Sequence, residues 1–566
     1  MSVTDTVAPD RLAAGPAIWV GTLLLALAYL LPGLTGHDPW KQDEAYSFGI
    51  IYNMATTGDL VVPTLAADPF MEKPPAYYIT AAGLVRLFDG YLPAHDAARL
   101  ASGLYMALAF LFTGLMTRAT WGEGRGLIGV ILLIATVGLI INGHFMITDT
   151  ALTAGMAMAC YGLLRARLDR WGGFWLGTGA GLAFMSKGLL VPGILGISVV
   201  LLVLFRDWRS WTYLKALLVA ALAALPWLLI WPTALYLRSP ELFHLWFWDN
   251  NFGRYLGFSE LGPPTVHLFW LQTVPWVTLP VLPLALWSLW SRRQTAWRNP
   301  GVRMALVVSV VGWGVLFGSS TARELYTLPL LPLLAVLAAG AVERVPRPVV
   351  TFGYWFSAGL FGLLSLIIWA FWVYNIVAGR PPQWFWLSEF LTVDYVGTWD
   401  RVVFAIAAGF QLGWAWCLWR WRPPQAAALL AWPVGLTLIW GLLAVLHLPW
   451  IEQARSYRGV FTELRAQLPA DFNCLADLNM MPLRECERGL LHYVAGIKTE
   501  HVDSPAQTRC DYIVTETNLR RRGAEIDIGA GWERIWRGSL PPVRLDLFTL
   551  FRRVPTAQAA AAAPAP

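Results

Sequence analysis

Residues able to carry acid–base or phosphate chemistry are concentrated in one polar stretch, residues 36–96. It contains the acidic pair Asp43 and Glu44, and further along it Glu72 and Lys73 precede a double proline. A carboxylate can take a proton from a hydroxyl group, and a lysine can bind a phosphate. Because proline restricts the backbone, the double proline should direct the side chains of Glu72 and Lys73. We therefore predict that this stretch forms one wall of a catalytic site at the surface of a membrane.

Asp149 is a further acidic candidate, because it lies at the start of a long apolar run. The dipole of a helix favours an acidic residue at its N-terminal end, which would explain Asp149 without any chemistry. Asp43 and Glu44 could likewise be solvated loop residues or a helix cap. An unpaired carboxylate at a membrane boundary is costly, however, so we predict that Asp149 joins the same site.

The elements that must position these residues are membrane helices. Of the 566 residues, 57% are hydrophobic and 14% are charged. Apolar runs of about 18–20 residues recur, which is long enough to span a bilayer, and we predict an all-α polytopic membrane protein with about thirteen transmembrane helices. The runs are 17–34, 98–117, 126–141, 149–164, 172–186, 189–205, 215–235, 268–290, 304–319, 327–342, 351–376, 400–420 and 426–447.

Lysine and arginine cluster in alternate connectors between these runs, which predicts that those connectors are cytoplasmic. Residues 1–16 would then be a cytoplasmic N-terminus and residues 17–447 the membrane domain. The 36–96 stretch would lie on the opposite face, which in a bacterium is the periplasmic face of the inner membrane. The net charge of +6 comes without a basic stripe, so we expect the lipid bilayer and no nucleic acid as a partner.

The composition becomes more polar after the last apolar run, and short β-like segments appear. We predict a soluble periplasmic α/β domain over residues 448–556 and a disordered tail over residues 557–566. In an oxidising compartment two of Cys474, Cys486 and Cys510 could form a disulfide, and the sequence leaves the pairing open.

A set of motifs resembles the polyprenyl-phosphate-dependent glycosyltransferases of the GT-C superfamily. The similarity is greatest to their aminoarabinose transferase and protein O-mannosyltransferase branch. It covers about residues 20–340, and it lies in the order of the motifs and in their common predicted face. The motifs are Asp43-Glu44, Glu72-Lys73-Pro74-Pro75, Ala98-Arg99-Leu100, Thr148-Asp149, Lys187-Gly188, Asn250-Asn251-Phe252-Gly253-Arg254-Tyr255 and the segment from Ser320 to Pro329.

The resemblance implies an inverting transfer of one sugar from undecaprenyl phosphate to a glycolipid or glycan of the cell envelope, or alternatively to a protein. Asp43 would be the principal catalytic carboxylate, with Glu44 and Asp149 beside it. A phosphate leaving group is a stable anion, so the site needs cations more than a general acid. Lys73, Arg254 and Lys187 would hold the phosphate; Arg254 and Lys187 could instead be interfacial anchors.

Two further sets of residues complete the predicted site. The residues expected to face sugar or lipid are Tyr46, Tyr77, Tyr78, Arg323 and Tyr326, although the first three tyrosines could instead be interfacial belt residues. The residues that could hold a divalent metal ion are Glu72, Asp149, Asp249 and His244. The chain departs from the aminoarabinose branch in both sets. Residues 248–251 replace a histidine-rich stretch, and Arg323-Glu324 stands where a lysine is common, which leaves the sugar and the acceptor open.

Two other classes of protein are compatible with a chain of this hydropathy. A lipid or sugar transporter would carry paired halves and charges near the middle of the membrane, whereas the charges here lie in connectors. A non-catalytic scaffold would leave the grouping of Asp43, Lys73 and Asp149 unexplained. We therefore favour the transferase.

Overall fold

A computed structural model describes residues 16–40, 42–258, 268–388, 390–423, 426–479, 482–518, 528–529, 531–540 and 546–554, with no account of the side chains of residues 16–18 and 426–427. The predicted cytoplasmic N-terminus, apart from Pro16, and the predicted disordered tail lie outside the described residues. The described part is mostly helical, as predicted.

Almost every predicted apolar run coincides with a helix. The helices of the membrane domain are α1 (Pro16–Leu30), α2 (Gln42–Thr57), α3 (Ala76–Leu87), α4 (Ala94–Trp121), α5 (Gly126–Ile134), α6 (Leu139–Asn142), α7 (Thr148–Ala166), α8 (Trp171–Lys187), α9 (Leu190–Leu202), α10 (Trp211–Arg238), α11 (Pro240–His244), α12 (Arg254–Leu256), α13 (Phe269–Val277), α14 (Val281–Ser291), α15 (Pro300–Phe317), α16 (Leu331–Ala339), α17 (Arg347–Ala378), α18 (Phe385–Ser388), α19 (Arg401–Arg420) and α20 (Ala431–Leu442). A π-helical segment, Leu245–Gly253, joins α11 to α12, and a 3₁₀ segment, Glu324–Leu330, leads into α16.

The run at 268–290 is not one straight helix. Helices α13 and α14 are bent by 86° at a break, where Pro280 cannot continue the backbone hydrogen bonding. Among the described residues, six helical segments are long and apolar enough to cross a membrane, or seven if this bent pair is one span. The protein is thus a multi-pass membrane protein, and thirteen spans stays a prediction.

The stretch at 36–96 is more ordered than a loop. Helices α2 and α3 occupy much of it, and a two-stranded hairpin of β1 (Thr64–Leu65) and β2 (Asp68–Pro69) lies between them. Helix α2 forms because its apolar side chains are buried; Phe48, Ile50 and Ile51 are fully enclosed. The polar residues of the first turn are therefore fixed in place.

The polar C-terminal region forms the α/β domain that the sequence predicts. Its helices are α21 (Leu448–Arg455), α22 (Arg458–Ala466) and α23 (Glu485–Ala495), and its strands are β3 (Leu475–Leu478), β4 (Thr499–Val502), β5 (Tyr512–Asn518), β6 (Trp532–Ser539) and β7 (Asp546–Arg553). The sheet has the order β4-β3-β5-β7-β6, with β3 parallel to β4 and β5 and the other pairs antiparallel. Cys474 and Cys510 form the disulfide, and Cys486 is a buried free thiol.

Helix α23 of this domain packs directly on α2. The two helices touch at Gly49 and Gly489, where a Cβ atom on Gly49 would lie 2.8 Å from the Cα atom of Gly489. Aromatic contacts extend the interface, since Tyr493 packs edge-on against Phe48 and Tyr52. The C-terminal domain therefore lies against the helix that carries Asp43.

Candidate active site

Asp43 lies in the first turn of α2 and is bound from two sides. Its carboxylate accepts a hydrogen bond from Arg323 at 2.9 Å and one from the hydroxyl group of Tyr46 at 3.3 Å. Arg323 precedes the 3₁₀ segment at 324–330, so two distant parts of the chain meet here. A neighbouring guanidinium group stabilises the ionised form of a carboxylate.

Lys73 lies beside Asp43 and shares a partner with it. Its ammonium group donates to the hydroxyl oxygen of Tyr46 at 2.5 Å and lies 5.0 Å from the centre of that ring. The side chain is almost fully buried. Burial lowers the pKa of Lys73, but Tyr78 and the carboxylates of Asp149, Glu72 and Asp43 raise it by more. Lys73 is therefore a buried cation at neutral pH.

Two further ion pairs line the same region. Arg254 donates to Glu72 at 3.1 Å, and Lys187 at the end of α8 pairs with Asp149 in the first turn of α7. The ammonium group of Lys187 also lies 4.4 Å from the centre of the Tyr326 ring. Each predicted phosphate-binding cation is therefore held next to an acidic or aromatic partner.

An eighth charged residue reaches this region from the C-terminal domain. Glu485, the first residue of α23, is exposed to solvent on one side. Partial desolvation by the protein on its other side, followed by the negative charge of Glu72, raises its pKa to about 7, with Lys73 opposing and Asp43 adding to the rise. Sequence reasoning missed Glu485, because no local motif marks it and about 400 residues separate it from Glu72 and Lys73.

These residues form one electrostatic cluster, which we call the charged pocket. Its members are the acidic residues Asp43, Glu72, Asp149 and Glu485 and the basic residues Lys73, Lys187, Arg254 and Arg323. Fixed charges in a partly desolvated site stabilise new charge without reorganising, and such stabilisation is often the largest contribution to catalysis. The pocket has the groups needed to bind an anion and to accept a proton.

Glu44 lies in a different environment from its neighbour Asp43. It is completely buried, and it accepts a hydrogen bond from Arg99 of α4 at 2.8 Å. Arg99 also contacts Asp96 and donates to the backbone oxygen of His37. These contacts tie the first turn of α2 to α4, so Glu44 is placed to orient Asp43 by fixing the helix.

Replacing Arg99 by Met should destabilise the fold by about 3–5 kcal/mol, because Glu44 would be left buried without its cation. Thermal unfolding of the purified protein in detergent would measure the loss. The matched variant Arg99→Met/Glu44→Gln removes both charges and should recover part of it. Equal melting temperatures for Arg99→Met and the unaltered protein would contradict this assignment.

Tyr77 and Tyr78, which the sequence predicts to face sugar or lipid, are fully buried in α3. The hydroxyl group of Tyr77 shares a hydrogen bond with Ser102, whose hydroxyl group contacts the backbone oxygen of Phe145. Tyr78 lies near Lys73, and burial raises its pKa far above the usual value. Tyr46, also buried, bridges Asp43 and Lys73, while Tyr326 packs beside Lys187.

The four predicted metal-binding residues do not form a set of ligands in this arrangement. Glu72 and Asp149 are each paired with a cation. His244 is exposed and Asp249 is half-buried, and His244 Nδ1 lies 3.9 Å from Asp249 Oδ2. Within the described ranges, the only group of three potential ligands with metal-like spacing is Cys474, Glu500 and Cys510, and its two cysteines are joined in the disulfide. The predicted set therefore does not fit a metal ion as it stands.

The sequence is similar to a family of membrane glycosyltransferases. The family model described as dolichyl-phosphate-mannose-protein mannosyltransferase matches residues 72–231. An undecaprenyl phosphate-alpha-4-amino-4-deoxy-L-arabinose arabinosyl transferase of Pseudomonas aeruginosa is 30% identical over 451 residues, which cover 75% of this chain and 74% of that protein. A similarly named transferase of Pseudomonas fluorescens is 28% identical, with 58% of this chain and 57% of that protein covered.

The fold has a counterpart among solved structures. The crystal structure of ArnT from Cupriavidus metallidurans bound to undecaprenyl phosphate superimposes with a TM-score of 0.68 at 17% identity. The match covers 95% of this chain and 98% of that one. The apo form of the same protein gives the same TM-score. The likeness therefore extends through the C-terminal domain as well as the membrane helices.

Proposed function

The chain belongs to the family of undecaprenyl phosphate-aminoarabinose arabinosyl transferases, and from this premise we propose how its charged pocket works. The donor is a monosaccharide on undecaprenyl phosphate, with 4-amino-4-deoxy-L-arabinose as the proposed sugar. The acceptor is a cell-envelope glycolipid or glycan. The reaction takes place at the periplasmic face of the bacterial inner membrane, where the pocket and the C-terminal domain would both lie.

Lys73, Arg254 and Lys187 bind the phosphate of the donor in this proposal. The bond between the anomeric carbon and the phosphate oxygen breaks, and its electron pair leaves with the phosphate. Because the leaving group carries a new negative charge, cations already in place stabilise the transition state more than the ground state. Lys73 is the central one, since its burial excludes water from the contact.

Asp43 acts at the other reacting atom. An acceptor hydroxyl oxygen bonds to the anomeric carbon from the side opposite the phosphate, which inverts the configuration, and its proton passes to Asp43. Arg323 and Tyr46 hold this carboxylate in position. An acceptor phosphate would already be ionised, and Asp43 would then orient it and stabilise the positive charge that develops on the sugar.

The observation that carries the proposal is the bridge through Tyr46, whose hydroxyl group contacts both Asp43 and Lys73. A proton acceptor and a phosphate-binding cation are thereby held next to each other. A transferase needs this juxtaposition, because the bond that forms and the bond that breaks share one carbon atom.

Mass spectrometry of envelope lipids and glycans from cells with and without the gene tests the proposed function. We expect one envelope species to lose a mass corresponding to a single aminopentose when the gene is absent. The same loss in cells that carry Asp43→Asn would connect it to the pocket. Unchanged lipids and glycans, with a modified protein instead, would favour the protein-directed alternative.

Glu485 should make donor binding depend on pH near neutrality. With a pKa of about 7, the group is mostly neutral at pH 6 and mostly negative at pH 8. One more negative charge in the pocket weakens binding of the phosphate. Glu485→Gln should therefore bind undecaprenyl phosphate as tightly as the unaltered protein does at pH 6, and about fivefold more tightly than the unaltered protein at pH 8.

Titration of the lipid phosphate itself affects both proteins equally, so the ratio of their affinities isolates Glu485. Glu463→Gln, which lies in the neighbouring helix α22, is a suitable control and should leave the ratio at one. A ratio that does not change between pH 6 and pH 8 would remove Glu485 from the pocket.

A further inference from the structure

A large cavity lies away from the charged pocket, between two groups of membrane helices. Its volume is about 1500 Å³, and its walls come from α1, α5 and α14 on one side and from α17, α19 and α20 on the other. None of the charged-pocket residues lines it. Sites for small molecules measure about 300–1,000 Å³, so this space suits a longer ligand.

The walls are apolar, with a few hydroxyl groups. Leucine, isoleucine, valine and tryptophan side chains dominate, and Arg420 is the only charged residue among the described residues that line the space. Four glycines of the wall face empty space. A Cβ atom built on Gly21, Gly353, Gly409 or Gly413 would meet nothing within 4 Å. Such a surface suits hydrocarbon chains.

One end of the cavity is basic. Arg420 ends α19, and Val345 and Pro346 in the wall lie between Arg344 and Arg347. Trp287, also in the wall, donates to the backbone oxygen of Arg344 at 2.9 Å. The acidic residue nearest in sequence, Glu343, is already paired with Arg125. The mouth therefore carries a surplus of positive charge.

This mouth lies at the helix ends that the charge pattern predicts to be cytoplasmic. Tryptophan side chains such as Trp287, Trp416 and Trp421 surround it, as is typical of the level of lipid headgroups. Further from Arg420 along α19 and α20, the lining continues with the apolar residues Ile406 and Leu438. The cavity is thus basic at the membrane surface and apolar within the bilayer.

We propose that this cavity binds an anionic diacyl phospholipid of the cytoplasmic leaflet, with its acyl chains between α5 and α19 and its phosphate at Arg420. Basic pockets between membrane helices on the cytoplasmic side are known to bind anionic headgroups. The surplus of arginine selects an anionic lipid over a zwitterionic one. The bound lipid fills the space that separates α17 and α19 from α1 and α5. Helix α20 packs against both of these groups of helices.

Native mass spectrometry of the full chain in detergent, with added phosphatidylglycerol or phosphatidylethanolamine, tests the proposal. Phosphatidylglycerol should be retained about fivefold better. Gly409→Leu/Gly413→Leu fills the cavity and should lower that retention by about fivefold. The matched control is Gly193→Leu/Gly196→Leu, since these glycines also have open space around them but lie on α9, outside the cavity.

A second variant keeps the proposal testable if the filled protein does not fold. Arg420→Gln leaves the apolar walls intact and should abolish the preference for phosphatidylglycerol while the protein still binds lipid. Equal retention by the filled and control variants would overturn the site. Equal retention of the two phospholipids by the unaltered protein would overturn the headgroup assignment. If Gly409→Leu/Gly413→Leu lowered the retention of undecaprenyl phosphate and left that of phosphatidylglycerol unchanged, the choice of occupant would be overturned.

Discussion

Replacing Asp43 by Asn is expected to lower the rate of sugar transfer by roughly a thousandfold, the scale of losing a general base. Asparagine has nearly the same shape and still accepts hydrogen bonds from Arg323 and Tyr46, so the fold and donor binding should change little. Turnover measured with a radiolabelled sugar on undecaprenyl phosphate gives the rate. The Michaelis constant for the donor separates a loss of catalysis from a loss of binding.

Asp89→Asn is the matched control, because Asp89 lies in the same stretch and is exposed. It should keep the activity of the unaltered protein. If Asp43→Asn retained more than about a tenth of that activity, proton transfer to Asp43 would not limit the reaction. The role of Asp43 in orienting an acceptor phosphate would then be favoured.

Replacing Lys73 by Met should weaken binding of undecaprenyl phosphate by about 30-fold or more, since losing one partner of a buried charge pair costs roughly 2–5 kcal/mol. Methionine keeps most of the volume of the side chain but removes the cation. Binding can be measured by tryptophan fluorescence or native mass spectrometry. Catalysis should fall further than binding, because the phosphate gains negative charge as the bond breaks.

Lys215→Met provides the control for this experiment. Lys215 is an exposed lysine in α10, at the end predicted to be cytoplasmic, and its replacement should leave binding unchanged. An unaltered affinity in Lys73→Met would show that the phosphate lies elsewhere in the charged pocket. Arg254 and Lys187 would then be the next positions to test.

The helical membrane fold could be predicted from the sequence because it depends on strong, local signals, and the family could be predicted because short motifs follow one another in a characteristic order. Long apolar runs identify membrane helices, and most of them coincide with helices in the structure. The structure brings Asp43, Lys73 and Asp149 together in one pocket. Their catalytic roles stay a proposal until they are tested.

Other features depend on contacts that no local pattern encodes. The first turn of α2 contains both Asp43 and Glu44, and Glu44 alone of the two is fully buried, where it pairs with Arg99. Glu485 enters the pocket because two glycines, Gly49 and Gly489, allow α23 to approach α2. Long-range packing of this kind cannot be predicted from amino-acid composition or from the periodicity of apolar residues.

The bend between α13 and α14 shows a third limit of sequence reasoning. Apolar composition continues through residues 268–290, so hydropathy predicts a single helix. Pro280 by itself does not predict the bend, because prolines are tolerated inside membrane helices. Helix α10 contains two prolines without a break. Whether a proline bends a helix depends on the neighbours that satisfy the freed backbone groups.

Reconstituted turnover tests the central claim most directly, namely that the charged pocket transfers a sugar from a lipid phosphate. The purified chain would be given undecaprenyl phosphate-linked 4-amino-4-deoxy-L-arabinose and a glycolipid acceptor in liposomes, and mass spectrometry would follow both lipids. We predict that free undecaprenyl phosphate and glycosylated acceptor appear in equal amounts, and that Asp43→Asn forms both roughly a thousandfold more slowly. Donor that binds and stays intact in the presence of acceptor would contradict the account.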